Sequence, residues 1–300
     1  MEATTIRQSD PLLTPDFIAK IEQLQLVSRK IFMGKMRGER RSKRRGESVE
    51  FADYRSYVVG DDLRHVDWNI YARLERLFLK LFLEEEDLHV SLLVDTSKSM
   101  DWGKPSKSLY ARRVAAALAY IGLINYDRVS LYSYANGLEY EMAGLRSRRS
   151  AGKVIDFLSK ANCEGQSNLV SACKSFAIRH PQAGIVVLLS DFFEKTGYEQ
   201  AIKYLLGRRY DIYCIQILSP EEIDPPLVGD LQLKDVEDGD LADVTVSRAL
   251  LNRYKNNLQA YCAGLKEYCT QRGINYLFTA SDVPFEQIIL NYFRRRGLVA

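Results

Sequence analysis

The chain has 300 residues, 27% charged and 46% hydrophobic, enough apolar matter to bury a full core as one large domain or two small ones. Its 42 basic and 39 acidic residues leave a net charge of +3, which excludes a polycation built to coat nucleic acid or anionic lipid and makes any electrostatic function local. Five cysteines with no CxxC pair, Cys163, Cys173, Cys214, Cys262 and Cys269, fit reduced thiols in the cytosol better than a disulfide or zinc framework. Residues 1–15 mix Glu2, Arg7, Asp10 and two prolines where a signal peptide would have a basic start and an apolar run. The longest apolar runs fall far below the roughly 18 residues of a membrane span. A soluble cytoplasmic protein is expected.

Thr14-Pro15-Asp16 reads as a cap followed by proline at the first helical position. With Phe17, Ile21, Leu24 and Ile31 near one face, it predicts an amphipathic helix over 14–33. From Lys35 to Arg45 seven of eleven residues are basic, which predicts an exposed loop. From residue 88 buried-strand runs alternate with helix patterns. Val90–Val94 reads as a strand, and Tyr110, Val114, Ala117, Ile121 and Ile124 recur at the spacing of one helix face. Val129–Tyr134 turns through Asn136-Gly137 into a third strand. Helices near 148–160, 168–179 and 198–207 separate the strands Ile185–Leu189 and Ile212–Leu218. The acidic stretch 220–243, with Asp238-Gly239 between apolar positions, predicts a hairpin appended to the sheet. Leu251, Tyr254, Leu258, Tyr261, Leu265 and Tyr268 step by three and four along one helix and read as core. The strand Ile274–Phe278 and a helix with Phe285, Ile288, Ile289 and Tyr292 close the chain. Strands separated by helices predict an α/β fold, a doubly wound, mostly parallel sheet of Rossmann type with helices on both faces.

Ligands of such sheets bind where strands end at their carboxyl edge. The strand Val90–Val94 runs into Asp95-Thr96-Ser97-Lys98-Ser99, Ile185–Leu189 runs into Ser190-Asp191, and the loop before the 168–179 helix reads Gly165-Gln166-Ser167-Asn168. Carboxylates and hydroxyls without imidazole or thiolate select a hard cation, and so few carboxylates suit octahedral Mg²⁺ better than Ca²⁺. Asp-x-Ser-x-Ser arises by chance in roughly one chain of this length in fifteen, so the motif counts because it follows a buried strand and has a second strand-end Asp beside it. The alternative is helix capping by Ser99 and Ser167.

Asp95-x-Ser97-x-Ser99, Ser167 and Asp191 resemble the metal-ion-dependent adhesion site of von Willebrand factor type A domains, with Ser167 where that family usually has Thr. The resemblance implies a site for Mg²⁺, or Mn²⁺, held by Asp95, Ser97, Ser99, Ser167 and Asp191. Upstream, Arg44-Arg45-Gly46-x-Ser48-x-Glu50-Phe51-x-Asp53-Tyr54-Arg55-x-Tyr57-x-x-Gly60-Asp61-Asp62-x-Arg64-x-x-Asp67-Trp68 resembles the domain-of-unknown-function fifty-eight family, whose members carry such a stretch before a type A domain. The organisation implied is an N-terminal helix and basic loop (1–45), a signature segment packed on the main domain (46–87) and a type A-like domain (88–300). Within the signature, Asp61, Asp62, Arg64, His65 and Asp67 read as an ion-pair network around a turn at Gly60, with Trp68 as a core anchor, in preference to an acid/base site.

Other chemistries fail on the residues. Gly103-Lys104 lacks the preceding glycine of a P-loop, no HExxH or GxSxG occurs, and the three histidines His65, His89 and His180 make a triad improbable. The expectation is a binding module, with no enzymatic activity, whose metal keeps an open position for an acidic residue of a client protein. The family resemblance implies a MoxR-type AAA+ ATPase as partner, in chaperone-like assembly or activation of other proteins. An alternative is nucleic-acid or anionic-membrane binding through residues 35–45, disfavoured by the absence of stacking aromatics there. A Mg²⁺-dependent hydrolase built on Asp95 and Asp191 lacks an evident general base.

Overall fold

The computed structural model of the chain describes residues 11–26, 50–83, 88–237, 239–294 and 298–299. The basic run 35–45, the signature residues Arg44 to Ser48, Ile31 and Asp238 lie outside the described residues. The chain divides into two compact units, residues 35–87 and residues 1–34 together with 88–300.

In the smaller unit, strand β1 (Glu50–Ser56) pairs antiparallel with β2 (Phe78–Leu83), and helix α2 (Trp68–Leu74) lies in the connection between them. The signature charges are structural. Both guanidinium nitrogens of Arg55 donate to Asp61 at 2.8 Å, Asp61 also accepts the Val58 amide at 2.8 Å, and Arg64 closes on Asp62. These bonds brace a turn at Gly60, whose φ of +106° is open to glycine. Asp67 caps α2 by accepting the amides of Asn69 and Ile70 at 2.9 and 3.2 Å and takes the Tyr54 hydroxyl at 3.0 Å. Trp68 departs from the expectation. It is 57% exposed and meets Tyr71 edge-on at 6.0 Å, because its place at the first turn of α2 turns the ring outward. Asp67→Ala is expected to weaken the α2 cap by about 1–2 kcal/mol, so the Tyr71 amide, bonded to the Asp67 carbonyl at 3.1 Å, should exchange about tenfold faster. Unaltered exchange there would contradict the capping role.

In the larger unit, six strands form one sheet in the order β10-β7-β6-β3-β4-β5. They are β3 (His89–Asp95), β4 (Arg128–Tyr134), β5 (Leu138–Leu145), β6 (Gly184–Ser190), β7 (Tyr210–Leu218) and β10 (Asn275–Ala280). All neighbours are parallel except β5, which returns antiparallel to β4. The central strands are apolar on both faces, as parallel strands between helix layers must be. Alternate side chains go to opposite sides. Val90, Leu92, Val94, Ile185, Val187 and Leu189 pack with helices α1 (Pro15–Ile21), α3 (Lys107–Ile124) and α4 (Ala151–Lys160). Leu93, Val186 and Leu188 pack with α5 (Leu169–Arg179), α6 (Glu199–Leu206) and α8 (Arg248–Gln271). The doubly wound α/β expectation holds. After β4 and β5 the chain returns to the other side of β3 with β6, so the winding reverses between β3 and β6.

Three expectations are corrected here. Helix α1 ends at Ile21, not at 33. Leu24 and Leu26 are buried outside any helix, because the Leu24 carbonyl takes the Asn125 amide group at 2.7 Å and Leu26 bridges to Val299. The acidic hairpin, β8 (Gly229–Lys234) and β9 (Leu241–Val246), is a separate two-stranded ribbon and adds nothing to the main sheet. The tyrosine stripe of α8 is only half-buried, with Leu265 and Cys269 as the buried positions, and its hydroxyls serve the site described next.

Candidate metal centre

Asp95 closes β3 and Ser190-Asp191 closes β6, so the two strand ends flank the reversal point where open α/β sheets form their crevice. The loops after these strands and the loop before α5 are laced by backbone bonds. The Thr96 amide donates to the Tyr134 carbonyl at 2.8 Å, Lys98 to Gly165 at 3.1 Å and Glu164 to Thr96 at 2.9 Å. These bonds bring Asp95, Ser97 and Ser167 together. Asp95 is fully buried. Its Oδ1 accepts the Ser97 amide at 2.9 Å, and its Oδ2 accepts the Ser190 hydroxyl at 2.7 Å and the Ser167 hydroxyl at 3.4 Å. Burial pushes the Asp95 carboxyl up to about 7, and Asp191 adds to the rise, while the bonds from Ser97 and Ser190 oppose it.

Asp191 has both oxygens engaged. Oδ1 accepts the Phe193 amide at 3.0 Å and Oδ2 the Lys107 ammonium at 2.7 Å. Between them Phe192 adopts φ +61°, a left-handed conformation uncommon for a bulky side chain and typical of functional loops. The Ser190 hydroxyl, by accepting the Phe192 amide at 2.9 Å, and the Tyr261 hydroxyl, by donating to the Phe192 carbonyl, hold it there. Lys107 has no exposed surface and also reaches Glu222 at 2.5 Å. Burial works against its ammonium, yet Asp191 and Glu222 hold its pKa above the ordinary value. Glu222 sits on the short helix α7 (Pro220–Ile223), closed by a capping box with Ser219. Tyr254 of α8 donates to the Glu222 carbonyl at 2.7 Å. The α8 tyrosines thus anchor both acidic segments around Lys107, a task that heptad spacing conveys only as a helix face.

Two acids escaped the sequence reading. Glu194 accepts the Ser167 hydroxyl and the Leu169 amide, each at 2.7 Å, capping α5 from another loop and fixing the Ser167 rotamer that threonine's methyl would otherwise restrain. Glu237, at the tip of the β8–β9 ribbon, lies 3.4 Å from the Ser167 amide. Its signal is weak in sequence, one acid among many in 220–243.

The donor set fits a small hard cation. Oxygens on neighbouring vertices of an octahedron at about 2.1 Å from Mg²⁺ lie about 3.0 Å apart. The Ser97 and Ser99 hydroxyls are 3.1 Å apart and Ser167 is 3.4 Å from Asp95. Among the described residues no three carboxylate, histidine or cysteine side chains gather as a metal cluster, so any ion here rests on at most two such groups together with hydroxyls. Asp95, Ser97, Ser99 and Ser167 are the residues that would hold it, while Asp191 is paired with Lys107.

A family model, "Protein of unknown function DUF58", matches residues 53–262. An uncharacterised protein of Mycobacterium bovis is 25% identical over 296 residues, covering 95% of this chain and 92% of its own length, and one of Mycobacterium tuberculosis matches equally. Among solved structures, the conserved hypothetical protein BatB from Bacteroides thetaiotaomicron aligns with a TM-score of 0.45 at 15% identity, over 69% of this chain and 98% of that one. The SpRpn10 VWA domain aligns with a TM-score of 0.39 at 11% identity, over 69% and 95%. None of the described helices is long and apolar enough to cross a membrane.

Proposed function

The chain belongs to the DUF58 family, and from that premise and the geometry of the three loops we propose that it is a metal-dependent protein–protein interaction module. One observation carries the reading. A fully buried carboxylate, Asp95, lies at the reversal point with a second acid raising its pKa and three serine hydroxyls around it. That is an environment a divalent cation stabilises. An ion held by one carboxylate and neutral hydroxyls retains positive charge and an open vertex, which a Glu or Asp from another protein can fill. The partner class we propose, a MoxR-type AAA+ ATPase, is the one implied by the resemblance of the signature segment to the DUF58 family. The described histidines His89 and His180 stand at the amino end of β3 and the carboxyl end of α5, away from the site.

The purified chain should capture a MoxR-type ATPase in Mg²⁺ and release it in EDTA, and Ser99→Ala should weaken capture about tenfold or more. Equal capture in EDTA, or full capture by the variant, would refute the proposal.

A further inference from the structure

Lys107 breaks two placement rules at once. It opens α3, an 18-residue helix whose N-terminal dipole repels cations, and its side chain has no exposed surface, where an ammonium is costly unless paired. It is held by two carboxylates from different strand ends, Asp191 after β6 and Glu222 after β7. The residue stands against helix polarity and burial together, and its charge is paired with Asp191, which follows the β6 strand end beside Asp95.

We propose that Lys107 is the built-in cation of this centre. Fixed in place by Glu222, it withholds Asp191 from a bound divalent ion, loosens that ion's hold, and so leaves it the positive charge with which it takes an outside carboxylate. This deepens the metal reading above and rests on it. Without Lys107 the ion would have Asp191 as a second carboxylate beside Asp95, bind more tightly, and have less charge left for a partner. With Lys107 in place, Asp191 stays paired with its ammonium. Lys107 is therefore a positioning residue that acts through Asp191 and sets affinity without touching the ion.

The test is Mn²⁺ binding by isothermal titration calorimetry to the full chain, to Lys107→Gln and to Glu222→Gln, with folding of each checked by circular dichroism. Lys107→Gln keeps hydrogen-bond donors for both acids but removes the charge, and should bind Mn²⁺ about tenfold tighter or more, whereas Glu222→Gln should bind it more weakly, by about threefold or more. A purely structural ion pair would move both variants the same way, since each breaks the same contact. Lys107→Gln that binds no tighter than the native chain overturns the inference while leaving the metal reading intact. A native chain that binds no Mn²⁺ overturns the metal reading and the inference with it. Should Lys107→Gln fail to fold, Glu222→Gln decides: weaker binding supports the inference, and equal or tighter binding overturns it.

Discussion

Asp95→Asn is expected to stabilise the metal-free chain at pH 8 by about 4 kcal/mol and to remove its response to Mg²⁺. The reason is the environment of the carboxyl. Fully buried and beside Asp191, it has a pKa of about 7 in the folded chain against about 3.9 when unfolded. A raised pKa means that the folded state binds the proton more tightly. The contribution of this group is therefore fully present below about pH 4 and is lost as pH rises through 7. At pH 8 the native chain carries an ionised carboxylate in a site that disfavours it unless a cation is bound. Asparagine keeps an acceptor for the Ser97 amide and a polar group for Ser190 and discards the charge. In EDTA, the melting temperature of the native chain should fall from pH 5 to pH 8 more steeply than that of the variant, and Mg²⁺ should restore the native chain alone. A variant that still gains stability from Mg²⁺, or that melts no higher than the native chain at pH 8, would contradict the assignment of Asp95.

The elements that position this site are legible because their signals are local. An apolar strand followed at once by Asp-x-Ser-x-Ser, and a second followed by Ser-Asp, declare two strand ends through residue order alone, and parallel strands between helix layers force those ends to one edge. The structure brings Asp95, Ser97 and Ser167 into one cluster and places Ser99 beside Ser97. What escapes the sequence is long-range pairing. Lys107 meets Asp191 and Glu222 across 84 and 115 residues, and lysine by type belongs on the surface. Its one local hint is a cation at the first position of a helix, where acids are favoured. Glu194 is hidden likewise, because it caps a helix that precedes it in the chain. The Tyr254 and Tyr261 hydroxyls have no period at all, so spacing reports the helix face they lie on and not the carbonyls they hold. Leu24 and Leu26 are buried by pairing with distant segments, and helical spacing therefore mistakes them for a continuation of α1.

Gly103→Ala is expected to cost about 3 kcal/mol and to disturb the centre from outside it. Gly103 has φ +90°, and a methyl there would lie 2.4 Å from the Ser219 Cβ and 3.3 Å from a Glu221 oxygen. Left-handed strain accounts for about 1 kcal/mol of the loss, and forced separation of packed groups for the rest. The methyl meets the N-cap of α7, and a Cβ cannot swing aside as the end of a long side chain can. In that cap the Ser219 hydroxyl accepts the Glu222 amide at 3.2 Å, and one Glu222 oxygen accepts the Ser219 amide at 2.8 Å while the other takes Lys107. The same loop reaches Lys107 from the other side, through its amide bond to the Trp102 carbonyl at 3.0 Å. Moving α7 away thus leaves Lys107 with Asp191 alone. The melting temperature should drop by about 5 °C, and Mn²⁺ affinity should fall as it does in Glu222→Gln. A loss below about 1 kcal/mol, with unchanged Mn²⁺ affinity, would show that this loop yields without carrying α7, and that the pairing of Lys107 with Glu222 does not depend on the close approach that glycine permits.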